Sequence, residues 1–140
     1  MKLMNEKFVR RAVIKWLSRK GYNLGLRERE TNEHGIDIKV RHHKYPRYFL
    51  VEVKGDPDTK KVKYPHSRRE VSFVYVIGQI VLRMRYKAKY KYAIGLPISY
   101  SDKVFRRLTP ILLKKLNLSV LLVNNEGKVK EITWKNLKIS

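Results

Sequence analysis

Two stretches of sequence decide the fold of this chain: Ile36-Asp37-Ile38-Lys39-Val40 and, seven residues later, Tyr48-Phe49-Leu50-Val51-Glu52-Val53-Lys54. The first alternates strictly between apolar and polar residues, which is typical of a strand with one buried face. The second is a further strand, closed by the strong turn signal Gly55-Asp56-Pro57-Asp58. The residues between them are few enough for a hairpin loop, so we predict an antiparallel hairpin.

The predicted hairpin brings together the residues that carry chemistry. If opposed residues sum to 89, Asp37 lies opposite Glu52, with Cβ atoms about 5 Å apart. Two facing carboxylates repel at a cost of up to about 1 kcal/mol, so a cation is expected beside them. Lys54 projects from the same face as Glu52 and supplies one positive charge. A divalent metal would supply the rest, with the backbone C=O of Val53 available as a further ligand.

Hard oxygen ligands of this kind suit Mg²⁺, which binds through one or two carboxylates plus substrate phosphate. A metal at this position can lower the pKa of a bound water and polarise a phosphoryl oxygen. A neighbouring lysine can orient the nucleophile or neutralise developing charge. Phosphodiester hydrolysis is therefore the reaction class that this set of residues favours.

Outward from the hairpin, the N-terminal side begins with an amphipathic helix over residues 5–20. Apolar residues recur there at one-turn spacing, basic residues fill the opposite side, and Gly21 follows as a stop. Tyr22 to Glu30 is a polar, alternating strand candidate.

The C-terminal side is expected to begin with a loop over 55–69. Residues 70–86 are rich in valine, which favours a strand, but their length favours a buried helix, and the pattern alone does not decide. The next predicted element is a strand over 90–96. A helix is expected to start near Lys103, and Thr109-Pro110 marks a second helix start. The segments 120–123 and 129–134 are predicted to form a hairpin. The expected class is mixed α/β around one sheet.

Composition points to the partner. The chain has 140 residues, 33 Lys and Arg against 12 Asp and Glu, and a net charge of +21. Such an excess favours nucleic acid, with DNA preferred over RNA, and a membrane surface is the weaker rival. No apolar run approaches about 18 residues, so we expect no membrane span. The absence of cysteine excludes disulfides and thiolate chemistry. Charge precedes any apolar block at the N-terminus, so we expect no secretory signal and a cytoplasmic, intracellular location.

Gly35-Ile36-Asp37-Ile38 followed by Glu52-Val53-Lys54-Gly55 resembles the PD-(D/E)XK nuclease superfamily, which has the restriction-endonuclease-like fold. The resemblance implies a core of one helix, three strands, a helix and a strand over residues 1–96, with 97–140 as a family-variable extension (a helix and a β-hairpin) of a single domain. It also implies Mg²⁺, or Mn²⁺ in its place, on Asp37 and Glu52, with Lys54 near the attacking water. Ile36 stands where the family has proline, and the ligands are unaffected.

Two further positions follow from the same resemblance. Many members have a glutamate on the first helix, where Glu6 is the acidic residue present, and a glutamine on the helix after the third strand, where Gln79 stands. Glu6 is better explained as an acid favoured at a helix start by the macrodipole. Gln79 is equally explained as a core amide bonded to the backbone, since burying it unpaired costs about 1–3 kcal/mol.

A basic segment follows the third strand, and in a nuclease its side chains would contact the DNA backbone without reading sequence. Its members are Lys60, Lys61, Lys63, Arg68 and Arg69. The alternative is a solvated surface. Nearby tyrosines would either stack on bases or have a purely structural role. The spacing of the four histidines does not fit a zinc site.

The sequence therefore predicts a metal-dependent endonuclease acting on DNA in restriction, repair or junction processing. Cutting both strands with so small a domain would call for a homodimer. Two alternatives stay open. In the first, the chain is a non-catalytic nucleic-acid-binding module of the same fold. In the second, it is a basic protein that binds RNA or associates with the ribosome, and its acidic pair is incidental.

Overall fold

One mixed sheet organises the molecule. The computed structural model describes residues 3–25, 37–58, 63–85 and 88–137. In this part of the chain, six strands lie side by side in the order of the sequence: β1 (Tyr22–Leu24), β2 (Ile38–His42), β3 (Tyr48–Val53), β4 (Tyr90–Pro97), β5 (Leu118–Val123) and β6 (Val129–Ile132). The flanking helices are α1 (Glu6–Arg19), α2 (Pro65–Leu82), α3 (Ser101–Arg107) and α4 (Pro110–Leu116), with a 3-10 turn (Ile98–Tyr100) before α3.

The strands run in both directions. β1, β2 and β3 pair antiparallel, β3, β4 and β5 pair parallel, and β6 returns antiparallel to β5. β3 is buried from Phe49 to Val53 and β5 along its whole length, because helices cover both faces at the middle of the sheet. The candidate carboxylate of Glu52 therefore lies on a strand with little access to water.

Two hydrophobic cores sit on opposite faces of the sheet. One joins α1, through Val9, Val13 and Leu17, to the odd-numbered residues of β3. The other joins α2, α3 and α4 to even-numbered positions such as Leu50. Since successive side chains of a strand point to opposite faces, Glu52 and Lys54 belong to the α2 side.

Local signals account for the helix ends. The Asn5 side chain accepts a hydrogen bond from Phe8 N at 2.8 Å and caps α1. Thr109 caps α4 in the same way, and Asn117 ends that helix in the left-handed conformation at φ 50°. Pro65 occupies the first turn of α2, where its missing N–H costs nothing.

The predicted class, a mixed sheet flanked by helices, is confirmed, and several boundaries are corrected. The valine-rich segment is helical as far as Leu82, as its length favoured, and residue 86 lies outside the described residues. The expected loop over 55–69 was wrong at its end, because α2 starts at Pro65 and already includes Arg68 and Arg69. β1 is three residues long, and 26–30 lie outside the described residues. The C-terminal segment holds two short helices, and its β5 is an internal strand of the sheet.

Candidate active site

The β2–β3 hairpin has the predicted register. Ile38 pairs with Val51 and Lys39 with Leu50, so opposed residues sum to 89 as expected. One more step along this register places Asp37 opposite Glu52. Both side chains are buried: Glu52 is 1% exposed and Asp37 is 6% exposed. The register therefore makes these two acidic residues neighbours at the end of the hairpin that is remote from its turn.

Glu52 is held by an arginine that follows α2. Arg83 is the C-cap of this helix, and its Nε lies 2.7 Å from Glu52 Oε1. The Glu52 side chain is 1% exposed and that of Arg83 is 29% exposed. A buried carboxylate needs such a partner, because an uncompensated charge away from water is expensive.

Asp37 is held from the other side of the sheet. Its Oδ2 accepts a hydrogen bond from Val53 N at 2.9 Å. Its Oδ1 lies 3.9 Å from Nη2 of Arg10 on α1, and the same Nη2 lies 3.4 Å from Glu6 Oε2. The predicted site residue Glu6 is thus connected to Asp37 through one shared guanidinium, which is 11% exposed.

Lys54 is half-buried on the α2 side, with its Nζ 5.1 Å from the ring centre of Tyr75. Tyr75, Gln79 and Arg83 are spaced four residues apart and so share one face of α2 and its cap. Because the first contacts Lys54 and the last contacts Glu52, the predicted residue Gln79 lies on the helix face directed at this pair. Its side chain is half-buried.

A polar clamp fixes the end of β3 against the start of α1. Asp56 Oδ2 accepts from Met4 N at 2.9 Å, its Oδ1 accepts from the Ser99 hydroxyl, and Arg69 Nε lies 3.7 Å from Oδ1. Gly55 makes the close approach possible, because a Cβ there would lie 2.3 Å from Glu6 N. The clamp therefore fixes the position of Glu6 relative to β3.

The donor set suits a hard divalent cation. Two buried, opposed carboxylates match the number that Mg²⁺ takes from a protein, and Arg10 and Arg83 already show that the pair attracts positive charge. Asp37, Glu52 and the Val53 carbonyl would hold the ion. Among the described residues, no group of three or more His, Cys, Asp and Glu side chains is placed to hold a metal ion.

The basic residues predicted to contact nucleic acid fall into three groups. Lys63 and Arg68 are exposed around the start of α2. Arg69 is directed to the buried Asp56, whose side chain is 1% exposed, so it has a structural partner. Lys60 and Lys61 lie outside the described residues, as do Gly35 and Ile36.

Sequence reasoning missed Arg10, Arg83, Tyr75 and Asp56. Two arginines among 33 basic residues give no signal of their own. Asp56 was read only as part of a turn. The available signal was spacing, since Arg10 lies one helical turn from Glu6, and Arg83 one turn from Gln79.

Comparisons with known proteins give one match. No family model and no curated protein matches the chain. The crystal structure of an XisH family protein from Nostoc punctiforme PCC 73102 superimposes with a TM-score of 0.54 at 12% identity, covering 90% of this chain and 99% of that one. The XisH family is one of the restriction-endonuclease-like families. In the described residues, no helix has the length and apolar character needed to cross a membrane. The chain therefore shares the mixed α/β fold of that structure, a six-stranded sheet flanked by helices that is consistent with the restriction-endonuclease-like fold.

Proposed function

We propose that this chain is a metal-dependent endonuclease that hydrolyses phosphodiester bonds of DNA inside the cell. One observation carries the proposal: two buried carboxylates face each other across the hairpin in a chain of net charge +21. A purely structural role would not require two acids to be opposed in the interior of so basic a protein.

Each residue has a role in this proposal. Asp37, Glu52 and the Val53 carbonyl hold Mg²⁺, for which Mn²⁺ substitutes. The bound ion would acidify a water and polarise the scissile phosphate. Lys54 orients the attacking water and offsets charge on the phosphate through its ammonium group. Gln79, on α2, positions the ligands around the metal, and Glu6 acts on these ligands through Arg10. Exposed basic residues such as Lys63 and Arg68 bind the DNA backbone.

A non-catalytic DNA-binding module of the same fold is the second candidate. The specific observation in its favour is that Arg10 and Arg83 already neutralise the carboxylates. In that case the pair would be a closed structural feature with no affinity for a divalent cation.

Plasmid cleavage tests the proposal. We expect nicking or linearisation with Mg²⁺ or Mn²⁺, loss of cleavage with EDTA, and loss in Lys54→Ala with DNA binding retained. Lys115→Ala is the matched control, because it removes one exposed lysine from α4 and should leave cleavage unchanged. Asp37→Asn should bind DNA equally well or more tightly, since one negative charge facing phosphate is removed.

Three results would count against the proposal. Cleavage that persists in Glu52→Gln would refute the site assignment. DNA binding without cleavage, together with no measurable Mn²⁺ binding, would establish the non-catalytic module. A linear product formed in one step by a protein that sediments as a monomer would refute the homodimer.

A further inference from the structure

Three aromatic rings form a cluster at the turn between β2 and β3, and we call His42, His43 and Tyr45 the ring cluster. The His42 and His43 rings stack at 4.8 Å between centres and 17° between planes, and Tyr45 lies 5.0 Å from His42. His43 and Tyr45 are exposed, Tyr45 to 51%. The turn thus presents aromatic faces to solvent.

The neighbouring chain holds the ring cluster in place. His43 N donates to Gly21 O at 2.9 Å, and its Nδ1 lies 3.0 Å from the same oxygen. Gly21 has φ +93°, and a Cβ there would lie 2.4 Å from His42 Nε2, so the rings pack directly on this glycine. Tyr22 meets His42 edge-on at 5.2 Å. A ligand would meet a largely preformed surface, which reduces the entropy lost on binding.

Cations surround the rings. The Arg47 guanidinium lies 5.3 Å from the Tyr45 ring centre, and Lys44 is exposed beside it. Desolvation, together with the charges of His43, Arg47 and Lys44, lowers the pKa of His42. The lowered pKa favours the neutral ring, and the cluster combines aromatic faces with positive charge, as surfaces that bind single-stranded nucleic acid do.

Two cations lie on β2 between the ring cluster and the carboxylates. Asp37, Lys39 and Arg41 alternate along one face of β2, with Lys39 exposed and Arg41 half-buried. His42 points to the other face, where its ring packs on Gly21, so the ring cluster does not continue this basic row. At a strand rise of about 3.3 Å per residue, His42 lies about 17 Å from Asp37 along the strand.

We propose that the ring cluster, with Lys44 and Arg47 beside it, is a stacking site for unpaired bases of a DNA substrate. The inference rests on the proposed function, because it concerns the substrate of that same site. It deepens the function by specifying a substrate that contains single-stranded nucleotides near the cut. Paired bases do not expose their faces, so a continuous duplex would not use the site.

Binding measurements in EDTA test the site without cleavage. A fluorescein-labelled 20-nucleotide single strand and its blunt duplex are titrated with the unaltered protein, Tyr45→Ala, Tyr45→Phe and Trp134→Ala, and anisotropy is recorded. Trp134 is the matched control, because it is an exposed ring with Lys114 Nζ at 4.6 Å, beyond the opposite edge of the sheet.

Tyr45→Ala should weaken single-strand binding about 5- to 150-fold, the range that loss of one base stack produces. Duplex binding should change less than about 2-fold, and Tyr45→Phe and Trp134→Ala should bind both DNAs normally. A 2-aminopurine in the single strand should be quenched by the unaltered protein and not by Tyr45→Ala.

Two results would overturn the inference, and they differ from failure of the proposed function. Equal losses for single strand and duplex, or no loss in Tyr45→Ala, would refute base stacking while leaving the nuclease proposal intact. Failure of the unaltered protein to bind either DNA would refute the proposed function and the inference together.

Discussion

Replacing Arg83 with glutamine tests whether the carboxylate pair is a cation site. The Arg83–Glu52 ion pair is short, at 2.7 Å, and its carboxylate is 1% exposed. A divalent ion that binds Glu52 must compete with this guanidinium. Arg83→Gln removes the competing charge while keeping a polar side chain at the C-cap of α2. We therefore expect two opposite effects from one change: lower stability without metal and higher affinity for metal.

The structure sets the size of both effects. Opposite charges about 4 Å apart attract by about 4 kcal/mol at an effective dielectric constant of about 20. Since the Arg83 side chain is 29% exposed, screening and side-chain entropy reduce this to about 2 kcal/mol. At about 3 °C per kcal/mol for a domain of this size, Tm in EDTA should fall by about 6 °C. Removing 2 kcal/mol of competition should tighten Mn²⁺ binding about 30-fold.

Calorimetric titration with Mn²⁺ and thermal unfolding in EDTA measure the two quantities. Arg106→Gln is the matched control, because Arg106 pairs with Asp102 on the surface and both side chains are more than 70% exposed. It should alter Tm by less than about 2 °C and leave Mn²⁺ affinity unchanged. If Arg83→Gln lowers Tm but binds Mn²⁺ no more tightly, Arg83 does not compete with a cation, and the competition argument fails.

Three further predictions concern the polar clamp and its surroundings. Gly55→Ala should lower the free energy of unfolding by about 3 kcal/mol in urea titration, since its Cβ would meet the backbone N of Glu6 at 2.3 Å; an unchanged value would refute the close approach. Asp56→Ala should cost about 3 kcal/mol in the same assay, because it leaves Arg69 and two part-buried hydrogen-bond donors without their partner, and Asp102→Ala should cost almost nothing. Burial raises the pKa of the Tyr100 hydroxyl above 10 in the folded protein. The unfolded chain therefore loses the hydroxyl proton first as pH rises, and the free energy of unfolding should fall above pH 10. Tyr100→Phe should flatten that part of the stability profile, and a slope identical to that of the unaltered protein would contradict the assignment.

Much of the fold follows from the sequence because the hairpin is encoded locally. Strict alternation over 36–40 and a strong stop after Lys54 fix the register, and with it the opposition of Asp37 and Glu52. The start of α2 was missed, although Pro65 at its first turn is a recognised start signal. The residues before it are rich in charge and in turn formers, which favour a loop.

The arginines of the site could not be predicted because their roles depend on tertiary contacts. Arg10 and Arg83 belong to α1 and to the C-cap of α2, which lie on opposite faces of the sheet, and only the packed structure brings them to the two carboxylates. Local patterns report which face of a helix is buried. They do not report which of several basic residues on that helix meets a given acid.

The polar clamp also constrains the order in which the molecule can assemble. Asp56 is bonded to residues 52 positions earlier and 43 positions later in the chain, at Met4 and Ser99. During synthesis, the junction between β3 and α1 cannot be completed until about a hundred residues have left the ribosome. Contacts of such long sequence separation form late, because loop closure must precede them. A truncated or half-made chain would therefore lack the rigid junction between β3 and α1, and only the completed chain would hold the nearby carboxylates in a fixed position.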